Sequence, residues 1–317
     1  MGRLEDLSTF TRVIEARSLS GAARRLGSTK SAVSKQVNRL EEQLGTRLLH
    51  RTTRSVSPTD DGRRVYERAQ RMLEEAQALE AEVAGGLALP QGTLRLSTST
   101  AFGNAQFTAL MAAFCARHPQ LHVVVGLNDR YVELAEEGFD VVLRLTSSPS
   151  PGLVARRLAP IHYRLCAAPA YLAQHGTPST LDDLTRQRCL TFGYTHTPAQ
   201  WRFRSRATGA EEVVDVQSAL RFESGLTVNS SEALRVAALA GMGLAVLPTY
   251  AAGADIRAGR LLSLLEDWQP VGRPADADTL YAVYLPSRFP SPKVRALIDF
   301  MLEMMGEVPP WDRAENA

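Results

Sequence analysis

The chain has 317 residues, 44% of them hydrophobic, and a formal net charge of +2 from 36 Lys and Arg against 34 Asp and Glu. Single cores stop growing at roughly 250–300 residues, so a chain of this length and composition is expected to form two or three domains. No run of eighteen apolar residues occurs and MGRLEDLSTF has no signal-peptide pattern, which excludes a helical membrane span and predicts a cytoplasmic protein.

The first helix is predicted to carry Leu4, Leu7, Phe10, Val13 and Ile14 as an apolar stripe that later helices must cover. Next comes LSGAARRLGSTKSAVSKQVNRLEEQLG, Leu19 to Gly45, in which two short helix patterns meet across a glycine. Ser20 is placed to cap the first, Ala22, Ala23 and Leu26 give it one apolar side, and Gly27 supplies the left-handed residue that ends it. Thr29 caps the second, Val33, Val37, Leu40 and Leu44 form its buried face, and Gly45 closes it. The face left over holds Lys30, Ser31, Ser34, Lys35 and Asn38, cationic or short hydrogen-bonding residues of the kind that reach phosphates and base edges in a major groove. That is a helix-turn-helix, with the second helix as the reader of double-stranded DNA.

Leu48 to Pro58 then reads as two short extended runs around a basic, hydroxyl-rich tip that includes Arg51 and Arg54. From Arg17 to Arg54 nine Lys or Arg face only Glu41 and Glu42, a charge concentration that suits a polyanion in a chain otherwise close to neutral. Residues 1–58 are therefore expected to form a winged helix-turn-helix domain. After it, Thr59 with Asp60 and Asp61 starts a long helix, 59–85, in which Val65, Ala69, Met72, Ala76, Leu79 and Val83 recur at four and three. This seam is read as a dimerisation surface, because one helix-turn-helix reads only a few base pairs and a twofold pair reads two half-sites. The glycine- and proline-bearing stretch 86–92 forms a hinge.

Beyond the hinge, apolar strands alternate with helices, which argues for an α/β domain over 93–317 with a parallel, doubly wound sheet. Two units are expected, about 93–160 with 267–317 and 161–266, joined by two crossings that leave a cleft. Ligands in open α/β sheets lie beyond the carboxyl ends of strands, beside helix starts whose free N–H groups suit anions. Ser99 and Thr100 in one lobe and Asn229 and Ser230 in the other are such positions, with Thr146 and Phe192 as further wall candidates. Glu232 is the one acid close to these turns in sequence, so a small carboxylate or a neutral polar metabolite fits better than a cation. Arg144 reads as a structural ion pair and Trp201 as a core anchor. Cys115, Cys166 and Cys189, lacking CxxC spacing or a His cluster, read as small buried apolar residues. No HExxH, GxSxG or Walker pattern occurs, and Gly241-Met-Gly243 stands after a helix rather than before one, so no catalytic residue, metal or cofactor is assigned.

AARRLGSTKSAVSKQVNRLEEQLGTRLLHRTTRSVSPTDDG resembles the winged helix-turn-helix of LysR-type transcriptional regulators. It departs from the usual pattern at Ser28, where an apolar residue is common, at Ser31, often proline, and at Pro58, usually apolar. The later phrases GFDVVLRL, LVARRLAP, LCAAPAYLAQHG, ALRVAALAGMGLAVLP and GRLLSLLEDW resemble the effector-binding domain of one large branch of that family, whose fold is similar to periplasmic solute-binding proteins. The resemblance implies pairing through the linker helix, a dimer of dimers on the operator, inducer contacts at the strand ends named above, and RNA polymerase as a partner if the protein activates. The resulting expectation is a repressor or activator modulated by a small-molecule inducer. The alternative, a ligand-independent architectural DNA-binding protein, does not require a two-lobed domain of roughly 200 residues.

Overall fold

The structure, a computed structural model, describes residues 2–51, 56–83, 89–130, 132–193, 200–216, 225–271, 278–287 and 291–313. They fall into two compact units, Met1–Gly92 and Thr93–Ala317.

The first unit runs α1 (Gly2–Ala16), α2 (Leu19–Arg25), α3 (Lys30–Leu44), β1 (Leu49–Arg51), β2 (Val56–Pro58) and α4 (Asp60–Val83). Thr29 caps α3 by accepting from the Ala32 N–H at 3.1 Å, and Gly27 and Gly45 both take positive φ. The cap of α2 is Ser18, not Ser20: Ser18 is extended and accepts from Gly21 N at 3.2 Å, because the helix begins two residues earlier than the apolar pattern suggests. Leu7, Phe10, Val13, Ala22, Ala23, Val33, Val37 and Leu40 close over Leu48, Leu49 and Ala69 in one core, while Leu4 and Leu26 are exposed. An ion pair between the exposed Arg39 and the buried Asp6 ties α1 to α3, with the Asp6 carboxylate receiving Arg39 Nε at 2.6 Å. Glu41 accepts the Leu48 and Leu49 N–H groups at 2.8 and 3.1 Å, which anchors the start of the wing, an antiparallel β1–β2 pair. Gly62 lets α4 pass that wing, since a Cβ there would lie 2.0 Å from the Leu48 carbonyl oxygen.

The second unit has two lobes. The first carries β3 (Gly92–Thr98), α5 (Thr100–Phe102), α6 (Thr108–Arg117), β4 (Leu121–Leu127), α7 (Leu134–Glu137), β5 (Val141–Thr146) and β6 (Val154–Pro160), with a π-helical turn at Gly103–Phe107 between α5 and α6. The chain then crosses to β7 (Tyr163–Ala167), α8 (Pro169–His175), β8 (Cys189–Phe192), β9 (Gln200–Ser205), β10 (Glu211–Asp215), β11 (Thr227–Val228), α9 (Ser231–Leu239), β12 (Leu244–Pro248), α10 (Thr249–Arg257), β13 (Leu262–Leu264) and β14 (Trp268–Val271). It returns with β15 (Thr279–Tyr284) and α11 (Pro292–Met305). The first-lobe sheet has the order β4-β3-β5-β15-β6 and the second β11-β8-β12-β7-β13, with β10-β9-β14 as a small third sheet.

Three expectations need correction. The sheets are mixed rather than parallel: β3 pairs parallel to β5, but β15 is antiparallel to β5 and β6, and β7 is antiparallel to β12. A strand arriving from the other lobe is free of the helical crossover that enforces parallel pairing. The return to the first lobe follows Val271 rather than 267, because β14 pairs with β9. Cys166 and Cys189 are buried as expected, whereas Cys115 is exposed on α6.

The lobes have separate cores, Phe102, Phe107, Phe114 and Leu143 in one and Tyr171, Leu184, Trp201 and Phe203 in the other. They meet at an aromatic cluster in which Tyr250 of α10 packs edge-on to Phe102 at 5.5 Å, and Trp311 to Phe102 at 5.6 Å. Gln106 adds a hydrogen bond to the Tyr250 carbonyl at 2.8 Å.

Candidate functional site

On α3 the cap and the core decide what faces outward. Burial of Val33, Val37 and Leu40 turns Lys30, Ser31, Lys35 and Asn38 to solvent, with Thr29 at the exposed start and Ser34 partly covered. Arg24 and Arg25, exposed at the end of α2, add two cations that the candidate set left out. Arg39 contributes less to the field than its count implied, because it is committed to Asp6. Arg51 lies in β1, but its side chain is outside the described residues, as is all of Arg54.

The α4 seam divides. Ala69 is buried and Val65 partly buried against the core of its own unit, where they cover α1, so these two positions do the packing of the winged domain. Met72, in contrast, is 52% exposed on a helix of 24 residues, and Ala76 is partly covered. The Leu79 and Val83 side chains lie outside the described residues, as do residues 84–88, where the expected helix end and hinge start fall.

In the second unit a cavity of about 450 Å³ opens between the lobes. Ser99, Phe192, Asn229 and Ser230 line it; Thr100 and Thr146 are not among its lining residues. Thr146 instead closes a local turn, donating to the Ser148 carbonyl and accepting the Ser148 N–H, each at 3.1 Å. Ser99 accepts from Phe102 N at 3.4 Å and Ser230 from Ala233 N at 3.3 Å, so both hydroxyls serve as caps at the cavity wall. Asp129 changes the electrostatics assumed from sequence: its carboxylate lines the cavity and accepts the Thr100 N–H at 2.9 Å, occupying the first-lobe helix start.

The cations of the cavity are Arg144 of β5 and Arg202 of β9, one from each lobe. Arg144 donates to the Arg130 carbonyl at 3.2 Å, and its charge also helps hold Glu137 below the usual carboxylate range, after the larger effect of the Arg130 hydrogen bond. It thus bonds a main-chain carbonyl where sequence suggested an ion pair, and it also lines the cavity. Arg202 gives Nη2 to Glu211 at 3.1 Å, while its Nε is buried with no hydrogen-bond partner among the described residues. Trp201 is both a core residue and part of the wall. Tyr250 completes the floor; burial pushes its hydroxyl up to about 12 against the opposing pull of a hydrogen bond with Ser231. Asp129 and Arg202 were missed because their neighbours in sequence carry no helix-start signal, although the alternation in QWRFRS already separated Arg202 from the buried Trp201 and Phe203; Tyr250 was missed although it follows the strand-to-helix turn Pro248-Thr249.

Among the described residues no group of three or more His, Cys, Asp or Glu is placed to hold a metal ion, and no helix is long and apolar enough to cross a membrane.

Residues 4–63 match the family described as bacterial regulatory helix-turn-helix protein, lysR family, and residues 88–306 match the LysR substrate binding domain. LtrA of Klebsiella pneumoniae, named as a probable HTH-type transcriptional regulator, is 35% identical over 300 residues, 95% of this chain and 94% of that protein. The HTH-type transcriptional regulator DmlR of Escherichia coli is 32% identical over 315 residues, 99% of this chain and 98% of its own. The solved structure of CrgA, a LysR-type regulator from Neisseria meningitidis, is 33% identical, covers 96% of this chain and 99% of its own, and superposes with a TM-score of 0.59. The full-length structure of the Vibrio cholerae virulence activator AphB, at 22% identity and a TM-score of 0.55, shares the fold. With both units matched and such relatives along nearly its whole length, the chain belongs to the LysR family of transcriptional regulators, joining a helix-turn-helix DNA-binding part to a ligand-binding substrate domain.

Proposed function

We propose that the protein reads its operator with α3 as a homodimer paired through α4, assembles two dimers into a tetramer, and answers to a small organic carboxylate between the lobes of its second unit. The observation that carries the ligand class is Arg144 and Arg202 on the wall of one cavity, each from a different lobe. A guanidinium presents a fork that matches a carboxylate, and Leu143, Leu190, Trp201 and Val246 offer apolar surface for the rest of the molecule. Asp129 keeps an anion away from the α5 start, so of the carboxylate and the neutral polar metabolite left open by the sequence the carboxylate is retained, but at the two arginines.

A ligand held by residues of both lobes binds the closed form better than the open one and shifts the population toward it. The resulting coupling to operator binding is typically ~1–3 kcal/mol. RNA polymerase enters as a partner only if the protein activates. The work is placed in the cytoplasm with the operator, and no catalytic step is assigned.

The test is calorimetric titration of the full chain with a panel of aliphatic and aromatic carboxylates and their amides. Arg144→Gln and Arg202→Gln are each expected to weaken a carboxylate about tenfold, ~1.4 kcal/mol. Amides binding as tightly as the acids, or an affinity untouched by both substitutions, would overturn the reading. The dimer is checked separately by sedimentation of Met72→Glu, which is expected to associate less because like charges would face each other across a desolvated seam.

A further inference from the structure

A second pocket, about 260 Å³, lies wholly in the second lobe, between Arg164 of β7, Arg206 just after β9, Ser263 and Leu264 of β13, and Trp268 of β14. It shares no lining residue with the interlobe cavity. Arg164 also acts through its charge on Asp312, which it helps hold below the usual carboxylate range, but the hydrogen bonds of the side chains around the pocket are few. Arg164 Nη1 donates to the Tyr163 carbonyl at 3.1 Å and Arg206 Nε to the Glu266 carbonyl at 2.8 Å, so among the described residues each guanidinium hydrogen-bonds only one main-chain oxygen. A guanidinium has five donors in a fixed fork, which leaves most of each fork for something else. The Ser263 hydroxyl is buried with no hydrogen-bond partner among the described residues. A buried polar group in that condition costs stability and calls for an explanation.

The backbone around the pocket is held in place at some cost. Leu265, between β13 and β14, has φ 49, a left-handed conformation that a residue with a γ-branched side chain rarely takes. That turn presents two successive carbonyls to Arg206, Glu266 O to the guanidinium and Asp267 O to its main-chain N–H at 2.9 Å, and Leu265 O to Trp268 N at 2.8 Å. Strain is thus tied to the placement of one cation and one aromatic ring.

We infer that this pocket is a binding site for a phosphate group, separate from the interlobe cavity. Two guanidiniums and a hydroxyl lining one pocket suit a tetrahedral group with several acceptor oxygens better than a planar carboxylate, which one fork satisfies. Glu266 is the one acid on the wall, and it is exposed, so it leaves the pocket cationic on balance and can take a hydroxyl of a phosphate ester. Inorganic phosphate and a small phosphorylated metabolite share this chemistry, and the experiment separates them.

Inorganic phosphate and glycerol 3-phosphate are titrated calorimetrically into the full chain at matched ionic strength, with glycerol as the neutral control. Saturable binding of one phosphate per chain is expected, lost by about tenfold or more in both Arg206→Gln and Arg164→Gln, and weakened less in Ser263→Ala. Arg202→Gln, in the other cavity, should leave it unchanged. Tighter binding of glycerol 3-phosphate assigns the site to an ester, and equal or weaker binding assigns it to the free ion. Failure of both anions to bind, unchanged affinity in folded Arg164→Gln and Ser263→Ala, or loss in Arg202→Gln alone would overturn the inference. Thermal melting of each variant separates lost binding from lost folding, and Arg164→Gln with Ser263→Ala decides the case if Arg206→Gln does not fold.

Discussion

The reading face of α3 and the cavity of the second unit are built on different scales. Lys30 to Asn38 are nine consecutive residues on one helix, and three buried side chains on the opposite face are enough to orient them. The cavity draws its walls from Ser99 to Val271, across two lobes and three sheets. In the first region one periodicity sets both packing and function, so removing the core should remove the site. In the second, polar wall residues such as Arg202 and Ser99 lie outside the cores, so one of them can be lost while the lobe that carries it stays folded.

The comparison is broken most directly at Phe10, fully buried between α1 and its neighbours. Phe10→Ala is expected to cost ~3–5 kcal/mol in the first unit and to abolish operator binding, while carboxylate affinity of the second unit stays unchanged. Denaturant unfolding followed alongside calorimetry checks this; loss of ligand binding with it would mean that the two regions do not stand apart.

Tyr250 sharpens the contrast from the other side. Its hydroxyl titrates at about 12 in the folded state, against an ordinary value near 10, because burial disfavours the phenolate. A raised folded value means that the unfolded chain releases the proton first. The contribution is therefore complete below about pH 10 and is lost as pH rises toward about 12, amounting to about 2–3 kcal/mol. In thermal melts across that window the parent should lose stability with rising pH relative to Tyr250→Phe, which has no proton to release there, and parallel curves would show that the hydroxyl is not buried.

A smaller effect is expected at the reading face. Lys35→Ala and Ser34→Ala should each weaken specific operator binding by ~1–3 kcal/mol if they meet base edges, whereas Arg51→Ala should weaken all DNA and flatten the salt dependence by about one unit. Binding isotherms at several salt concentrations distinguish the two behaviours. Equal affinity throughout the set would remove α3 from the reading role.

The smallest effects are expected at the two cleft candidates that the fold turned aside. Thr146→Val, in a local turn, and Thr100→Val, whose main-chain N–H rather than side chain meets Asp129, should each alter carboxylate affinity by under about 0.5 kcal/mol. A larger loss in titration would return them to the cavity wall.

What could be read without coordinates was what neighbouring residues dictate to each other. The caps at Thr29 and Thr59, the left-handed glycines at 27 and 45, the buried face of α3 and the start of α4 all follow from spacings of three or four residues, over which helix geometry is fixed. The same logic located the strand-to-helix turns at Ser99 and Ser230 as caps and as cavity residues. It failed where the outcome depends on elements far apart in the chain. Whether Val65 and Ala69 face a partner or their own core depends on α1, and whether the Thr100 N–H awaits an anion depends on Asp129, 29 residues on. Arg144 and Arg202 became one site only when two lobes were set opposite each other. Side-chain charge acts through space, and the distances that decide it are set by tertiary packing rather than by position along the sequence.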